Sequence, residues 1–260
     1  MPADAHRGWA HLLETVAALR APGGCPWDRA QTLQTMRPYL LEECHEVLET
    51  LDRGDPVALR EELGDLLFNV VMLAQMASEA GLFSIDDVAG DIAEKMIVRH
   101  PHVFEPGDHG LDVGTVAAWE ARKAAKAGRR RSKLDGLPDG LPALLHAWRA
   151  GEKAAEVGFD WADHDGARSK VDEELAELAE ARAAGDPEAV AREYGDVLFT
   201  LAQLGRFLGA SPEDSLRMAN QRFGARFRKV EAAARADGRI LADLDGQALD
   251  VLWRRAKKEE

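Results

Sequence analysis

Cysteine is nearly absent: Cys25 and Cys44 are the only two in 260 residues, and they are not in Cys-x-x-Cys spacing. That scarcity excludes a disulfide framework and a cysteine-based zinc site, and it fits a reducing, cytoplasmic compartment. Positive charge is also in deficit. Thirty-three Lys and Arg face 46 Asp and Glu, for a formal net charge of −13, which argues against an extended nucleic-acid surface. No apolar run is long enough to cross a bilayer, and no basic-then-apolar stretch opens the chain; no membrane partner is expected. Runs of strictly alternating polarity, the mark of half-buried strands, are missing as well. So are a G-x-x-x-x-G-K-[ST] phosphate loop, a G-x-G-x-x-G unit and a nucleophile elbow.

What remains reads as helix almost throughout. Trp9, Leu12, Leu13, Val16 and Leu19 follow helical spacing over 9–20. A helix over about 32–51 follows, with Pro38 marking a start or kink. Gly54-Asp-Pro is a turn, with Pro56 suited to the first position of the next helix. That helix runs to about Glu79, with Leu59, Leu63, Leu66, Leu67, Val70, Val71 and Ala74 on one broad face. Ser84 and Asp87 predict the cap of a fourth helix reaching Arg99. Four helices with short connections imply an all-α bundle.

The same order occurs twice. Glu42-Glu-Cys-His-Glu and Glu62-Leu-Gly-Asp return as Glu173-Glu-Leu-Ala-Glu and Glu193-Tyr-Gly-Asp, with Glu42 to Glu173 and Glu62 to Glu193 sharing an offset of 131. Helices are expected over 167–184, 187–208 and 212–237. Beyond the third helix the offset falls to 127, leaving Glu79–Leu82 without counterparts. The predicted organisation is two tandem helical domains, 1–110 and 143–260. A Gly-, Pro- and charge-rich linker, 111–142, joins them and carries a basic stretch from Arg122 to Lys133.

The acids carry the chemistry. On a helix Glu42, Glu43 and Glu46 share one side, as do Glu62 and Asp65, and an antiparallel turn brings the two sets together. Converging carboxylates repel unless something cationic sits between them. Oxygen-only ligands select Mg²⁺, or Mn²⁺, over zinc. One such pattern is common on any acidic helix; its repetition at identical spacing is not. Gly64 and Gly195 each weaken a helix interior by about 1 kcal/mol relative to Ala, a cost that close helix–helix approach beside the site explains. Cys44 is expected to be a small core residue.

Candidate phosphate-binding groups follow in the second copy: Asn220, Arg222 and Arg226 on one helix, with Lys153 and Lys257 as further candidates. Arg grips phosphate oxygens in bidentate fashion; a solvated face is the plain alternative. The first copy has Lys95 and Arg99 at the matching places but Ala93 for Asn220. Trp27, Phe159, Trp161 and Trp253 lie near turns or the chain end. Each is either a packing anchor or a surface on which a nucleobase stacks.

Cys25-Pro-Trp-Asp, Leu41-Glu-Glu-Cys-His-Glu-Val, Arg99-His-Pro-His-Val-Phe, Leu134-Asp-Gly-Leu-Pro, Gly158-Phe-Asp-Trp, Lys170-Val-Asp-Glu-Glu-Leu-Ala-Glu and Ala219-Asn-x-Arg-Phe together resemble the two-domain MazG nucleoside triphosphate pyrophosphohydrolases over nearly the whole chain. The resemblance implies an all-α fold, Mg²⁺-dependent cleavage of NTPs or dNTPs to the monophosphate and pyrophosphate, and a homodimer. It implies metal ligands at Glu173 or Glu174, Glu177, Glu193 and Asp196, with Glu42 or Glu43, Glu46, Glu62 and Asp65 as counterparts. Glu174, Glu193 and Asp196 are the expected catalytic set, Glu174 orienting the water; Asn220, Arg222, Arg226, Lys153, Trp253 and Lys257 are the expected substrate contacts. The C-terminal copy is expected to do the work. Three other readings stand beside this one: a narrower enzyme for dUTP or dCTP, a non-catalytic metal-binding interaction bundle, and nucleic-acid binding through Arg122–Lys133.

Overall fold

A computed structural model describes residues 7–104 and 132–258. The chain divides into two compact units, Met1–Lys126 and Ala127–Glu260. Among the described residues the regular secondary structure is entirely helical. Of the expected linker, 111–131 lies outside the described residues; 132–142 forms turns.

The first unit holds α1 (Arg7–Arg20), α2 (Pro26–Ala30), α3 (Arg37–Arg53), α4 (Pro56–Glu79), α5 (Ile85–Arg99) and α6 (Pro101–Phe104). The second holds α7 (Ala143–Ala155), α8 (His164–Ala184), α9 (Pro187–Leu208), α10 (Pro212–Ala236) and α11 (Gly246–Lys258). In each unit one long pair of helices dominates, α3 with α4 and α8 with α9.

Both pairs are closed by the same three-residue device. Gly54 and Gly185 end their helices in the left-handed region, at φ 64° and 71°, where glycine lacks the steric penalty of other residues. Asp55 and Asp186 then cap the next helix, each accepting from the two backbone N–H groups that follow the proline, and Pro56 and Pro187 open it. The chain reverses in three residues, so the helices run antiparallel. The caps of α5 and α10 match too: Ser84 and Ser211 accept from the N–H of Asp87 and Asp214. The four-residue difference between the copies is shared between helix and loop. α4 has 24 residues and α9 has 22, and the connection that follows shortens from 80–84 to 209–211.

In the first unit Val16, Met36, Val71, Met72 and Met76 form the core, with Tyr39 and Phe68 against it. Arg20 ties α1 to the end of α4: Nε and Nη2 donate to Glu79 at 2.6–3.0 Å, and Nη1 donates to the Asp28 carbonyl at 2.6 Å. In the second unit the matching joint is built differently. Gln203 donates to the Ala147 carbonyl at 2.6 Å and accepts from Arg206 at 2.9 Å, and Arg206 pairs with Asp160. Gly151 makes room for this, since a Cβ there would lie 1.6 Å from Gln203 Oε1. Gly151→Ala should therefore destabilise the second unit by about 1–3 kcal/mol through overpacking, outweighing the ~1 kcal/mol of helix propensity it gains. A urea melt showing an equally or more stable variant would refute this packing account.

Two expectations fail here. A Cβ at Gly64 or Gly195 would meet nothing within 4 Å, so among the described residues no neighbouring helix requires either glycine. Both lie on the outer side of the pair. Cys44 is exposed, because α3 rests on α4 through few residues and only Thr50 of α3 is buried.

Candidate active site

The paired helices bring the repeated acids together. In the first unit Glu43 of α3 meets Glu62 and Asp65 of α4, each offering an oxygen within 4.8 Å of the others. In the second unit Glu174 and Glu177 of α8 meet Glu193 of α9 within the same limit. Four of the six, Glu43, Glu62, Glu174 and Glu193, are buried or half-buried. Glu42, Glu46, Glu173 and Asp196 stand outside these groups among the described residues.

Crowding leaves its mark on the carboxyls. Glu43 is pushed above the ordinary carboxylate range by desolvation first and by Glu46 and Asp65 next. Glu62 is raised by desolvation and then by Glu46 and Asp65. Glu177 is raised by desolvation and then by Glu174, with Lys170 opposing. Acids that repel one another, most of them buried or half-buried, with oxygens within 4.8 Å of one another, are the donor set that a hard divalent cation satisfies. The residues fit Mg²⁺ or Mn²⁺.

The two clusters differ in one respect. Lys170 Nζ reaches Glu173 at 2.6 Å and Glu174 at 2.8 Å. The Glu174 side chain is only 8% exposed there. The paired acids hold the Lys170 ammonium charged, its pKa raised above the usual lysine value. Among the described residues no ion pair engages Glu43, Glu62 or Asp65.

The expected substrate contacts separate into two groups. Arg226 lies over the Trp253 ring, 4.8 Å from its centroid, and Phe223 packs against the same ring at 5.3 Å. Lys257 is one turn beyond Trp253 on α11 and is exposed. Asn220 instead lines a groove on α10 with Arg217, Gly224 and Arg228; with about 100° per residue, it cannot share a face with Arg226. Lys153 is buried on α7.

A cavity of about 470 Å³ opens between α7, α9 and residues 158–161, walled by Phe159, Trp161 and Phe199. Its polar groups, Gln203, Arg206 and Asp160, are already paired with each other or with backbone. Of the other aromatics, Trp27 packs edge-on to Tyr39 at 5.6 Å.

Residues 31–104 match the MazG nucleotide pyrophosphohydrolase domain, and residues 151–223 match the phosphoribosyl-ATP pyrophosphohydrolase family. The nucleoside triphosphate pyrophosphohydrolase/pyrophosphatase MazG of Thermotoga maritima is 43% identical over 249 residues, covering 95% of this chain and 94% of its own. The nucleoside triphosphate pyrophosphohydrolase of Escherichia coli K12 is 41% identical over 254 residues, covering 96% and 97%. The chain belongs to the MazG family. An uncharacterized Bacillus subtilis protein, YabN, is 42% identical over 247 residues, which are 50% of its length; there the MazG-like pair is part of a longer polypeptide.

Within this MazG-family fold, Lys170 is the residue that the acidic pattern hid. Its signal was present, since Lys170 precedes Glu173 and Glu174 by three and four residues, the spacing of helical ion pairs. The Gln203–Arg206–Asp160 joint had no such local signal. Among the described residues no helix is long and apolar enough to cross a membrane. Of the basic stretch, 122–131 lies outside the described residues; Lys133 lies 3.8 Å from Glu156.

Proposed function

We propose that the chain hydrolyses nucleoside and deoxynucleoside triphosphates with Mg²⁺, Mn²⁺ serving as a substitute, and that the second copy carries turnover. Water enters, the α–β anhydride breaks, and a nucleoside monophosphate and pyrophosphate leave. The observation that carries this reading is the convergence of Glu174, Glu177 and Glu193 in a chain whose relatives are named for that reaction.

Glu174, Glu177 and Glu193 would hold the cation, with Glu173 and Asp196 as neighbours able to join them. A bound Mg²⁺ neutralises charge on the departing pyrophosphate and polarises the attacking water. Glu174, the most buried member of the cluster, is suited to orient that water and take its proton with an oxygen the cation does not engage. Arg226 and Lys257, grouped around Trp253, suit the phosphates; Arg222 and Asn220 on α10 and the buried Lys153 are secondary candidates. Among the described residues the first copy has no such second layer. α5 ends at Arg99, whereas α10 continues to Ala236 and carries α11 on its far half.

The apolar cavity suits the base. Phe199 of its wall is on α9, as Glu193 is, about 9 Å further along that helix and on a different face. With its polar lining already paired, the cavity offers stacking and few free groups to read a base edge.

Both units expose apolar faces: Leu41 at 62%, Leu51, Leu63 and Leu67 in the first, and Tyr194, Leu198 and Leu201 in the second. Surfaces of this kind suit a second copy of the chain, and a homodimer is the assembly we expect.

The test is release of monophosphate and pyrophosphate from a panel of NTPs and dNTPs with Mg²⁺. All bases should be cleaved within about tenfold of one another. Strong preference for one base would point to a narrower enzyme. No release by folded protein would overturn the reading in favour of a non-catalytic metal-binding bundle.

A further inference from the structure

The offset that aligns the carboxylates also aligns Lys170 with Tyr39. Tyr39 is turned into the first unit's core, against the cluster of Val16 and Met72, and is edge-on to Trp27. The first carboxylate cluster therefore has no ammonium on its own helix. The cation acting on it is Arg53, which weakly opposes the rise of Glu62 while its guanidinium is paired with Glu49. In the second cluster the ammonium of Lys170 sits on the most buried ligand, Glu174, and on Glu173 beside it. The charge that a metal would bring is partly supplied already.

We propose that Lys170 is a built-in counter-ion of the second carboxylate cluster, and that it makes the two copies unequal divalent-cation sites. This inference rests on the metal reading given above. The first cluster takes a cation directly, because binding there relieves repulsion that Arg53 opposes only weakly and from a distance. The second takes one only by displacing Lys170 Nζ from Glu174, so part of the attraction is spent on breaking a charge-assisted contact. The lysine stem is only 32% exposed, and water screens the pair incompletely. In the absence of nucleotide the first copy is the tighter site. The copy that carries turnover is the weaker one, and it stays intact and charge-compensated without metal.

The measurement is calorimetric titration of the full chain with Mn²⁺ alone at neutral pH, without nucleotide. Wild type should show two classes of site. Glu62→Gln should remove the tight class. Lys170→Met, which keeps the apolar stem and removes the charge, should tighten the weak class by about two- to fivefold, the worth of one partly screened ion pair. Lys170→Gln, with a polar neutral tip, should shift it the same way, and circular dichroism of both variants checks that α8 is intact. Two equal sites in wild type, or a weak class that stays put or loosens in both lysine variants, would overturn the proposal. Absence of Mn²⁺ binding in every protein would instead bring down the metal reading itself, and this inference with it.

Discussion

Glu193→Gln should abolish pyrophosphate release, slowing it by ~10³-fold or more, while Glu62→Gln should slow it by less than about threefold. The two residues are counterparts, each on the second helix of its pair and each half-buried in its cluster. The substitution conserves shape and removes one negative ligand. A thousandfold loss corresponds to about 4 kcal/mol of transition-state stabilisation, within the several kcal/mol that a correctly held cation contributes to phosphoryl chemistry. The asymmetry follows from what surrounds each cluster. Among the described residues the second unit sets Arg226 on Trp253 with the exposed Lys257 one turn further on, whereas the first has Lys95 and Arg99 at the places of Arg222 and Arg226 and no helix matching α11. Steady-state release with saturating Mg²⁺, after confirming the fold of both variants, decides it. If Glu62→Gln is the dead enzyme, turnover belongs to the first copy. If both variants are fully active, neither cluster is catalytic.

Mg²⁺ should raise the melting temperature substantially at neutral pH and much less near pH 4.5. The sign comes from Glu43, Glu62 and Glu177, all raised above the ordinary range in the folded protein. A carboxyl raised by folding binds its proton more tightly in the folded state. Metal-free stability therefore falls as pH climbs from the unfolded carboxylate range through the folded values, and stays low above them. Glu79 and Asp87 act in the opposite sense. Arg20 lowers the first, and the Ser84 backbone and hydroxyl lower the second. Their contribution is complete above the ordinary range and is lost as pH falls below it. The metal-free protein should thus be most stable near the ordinary carboxylate range. At neutral pH, Mg²⁺ at a hundred times its Kd adds about 2.7 kcal/mol, on the order of 10 °C for a unit of this size. Thermal melts from pH 4 to 8, with and without Mg²⁺, give both curves. An Mg²⁺ effect independent of pH would rule out repulsion within the clusters as its cause.

Much of this architecture was legible in the chain because its signals are local. Gly-Asp-Pro at 54–56 and 185–187 announced two identical turns through conformational demands that need no tertiary context. The broad apolar face of α4 announced a long helix whose order the second copy repeats, and the repeated acids announced where two helices meet. The register of Glu174, Glu177 and Glu193 followed from those elements. What escaped depends on partners distant in sequence. Gly151 is glycine because Gln203, 52 residues later, fills its place. α7 and α11 escaped as assigned helices because each is short and finds its core on another helix. Gly64 and Gly195 misled for a related reason: their openness suits a surface outside the single chain. Asn220 and Arg226 were near in sequence, yet their angular separation on α10 sends them to different neighbours.

The position of the carboxylates along each helical pair has a further consequence. Glu43 precedes Gly54 by eleven residues and Glu62 follows Asp55 by seven, so the acids lie roughly 10–16 Å from the turn at 1.5 Å per residue. Each pair resembles a pair of tongs, hinged covalently at one end and held by charge further up the arms. Without a cation the first pair's arms push apart at the acids, partway along from the hinge. Fraying there should begin away from the turn, and amide hydrogens near Glu43 and Glu62 should exchange before those beside Asp55. In the second pair Lys170 offsets part of the charge on its own helix, so the repulsion is weaker and that pair should open later.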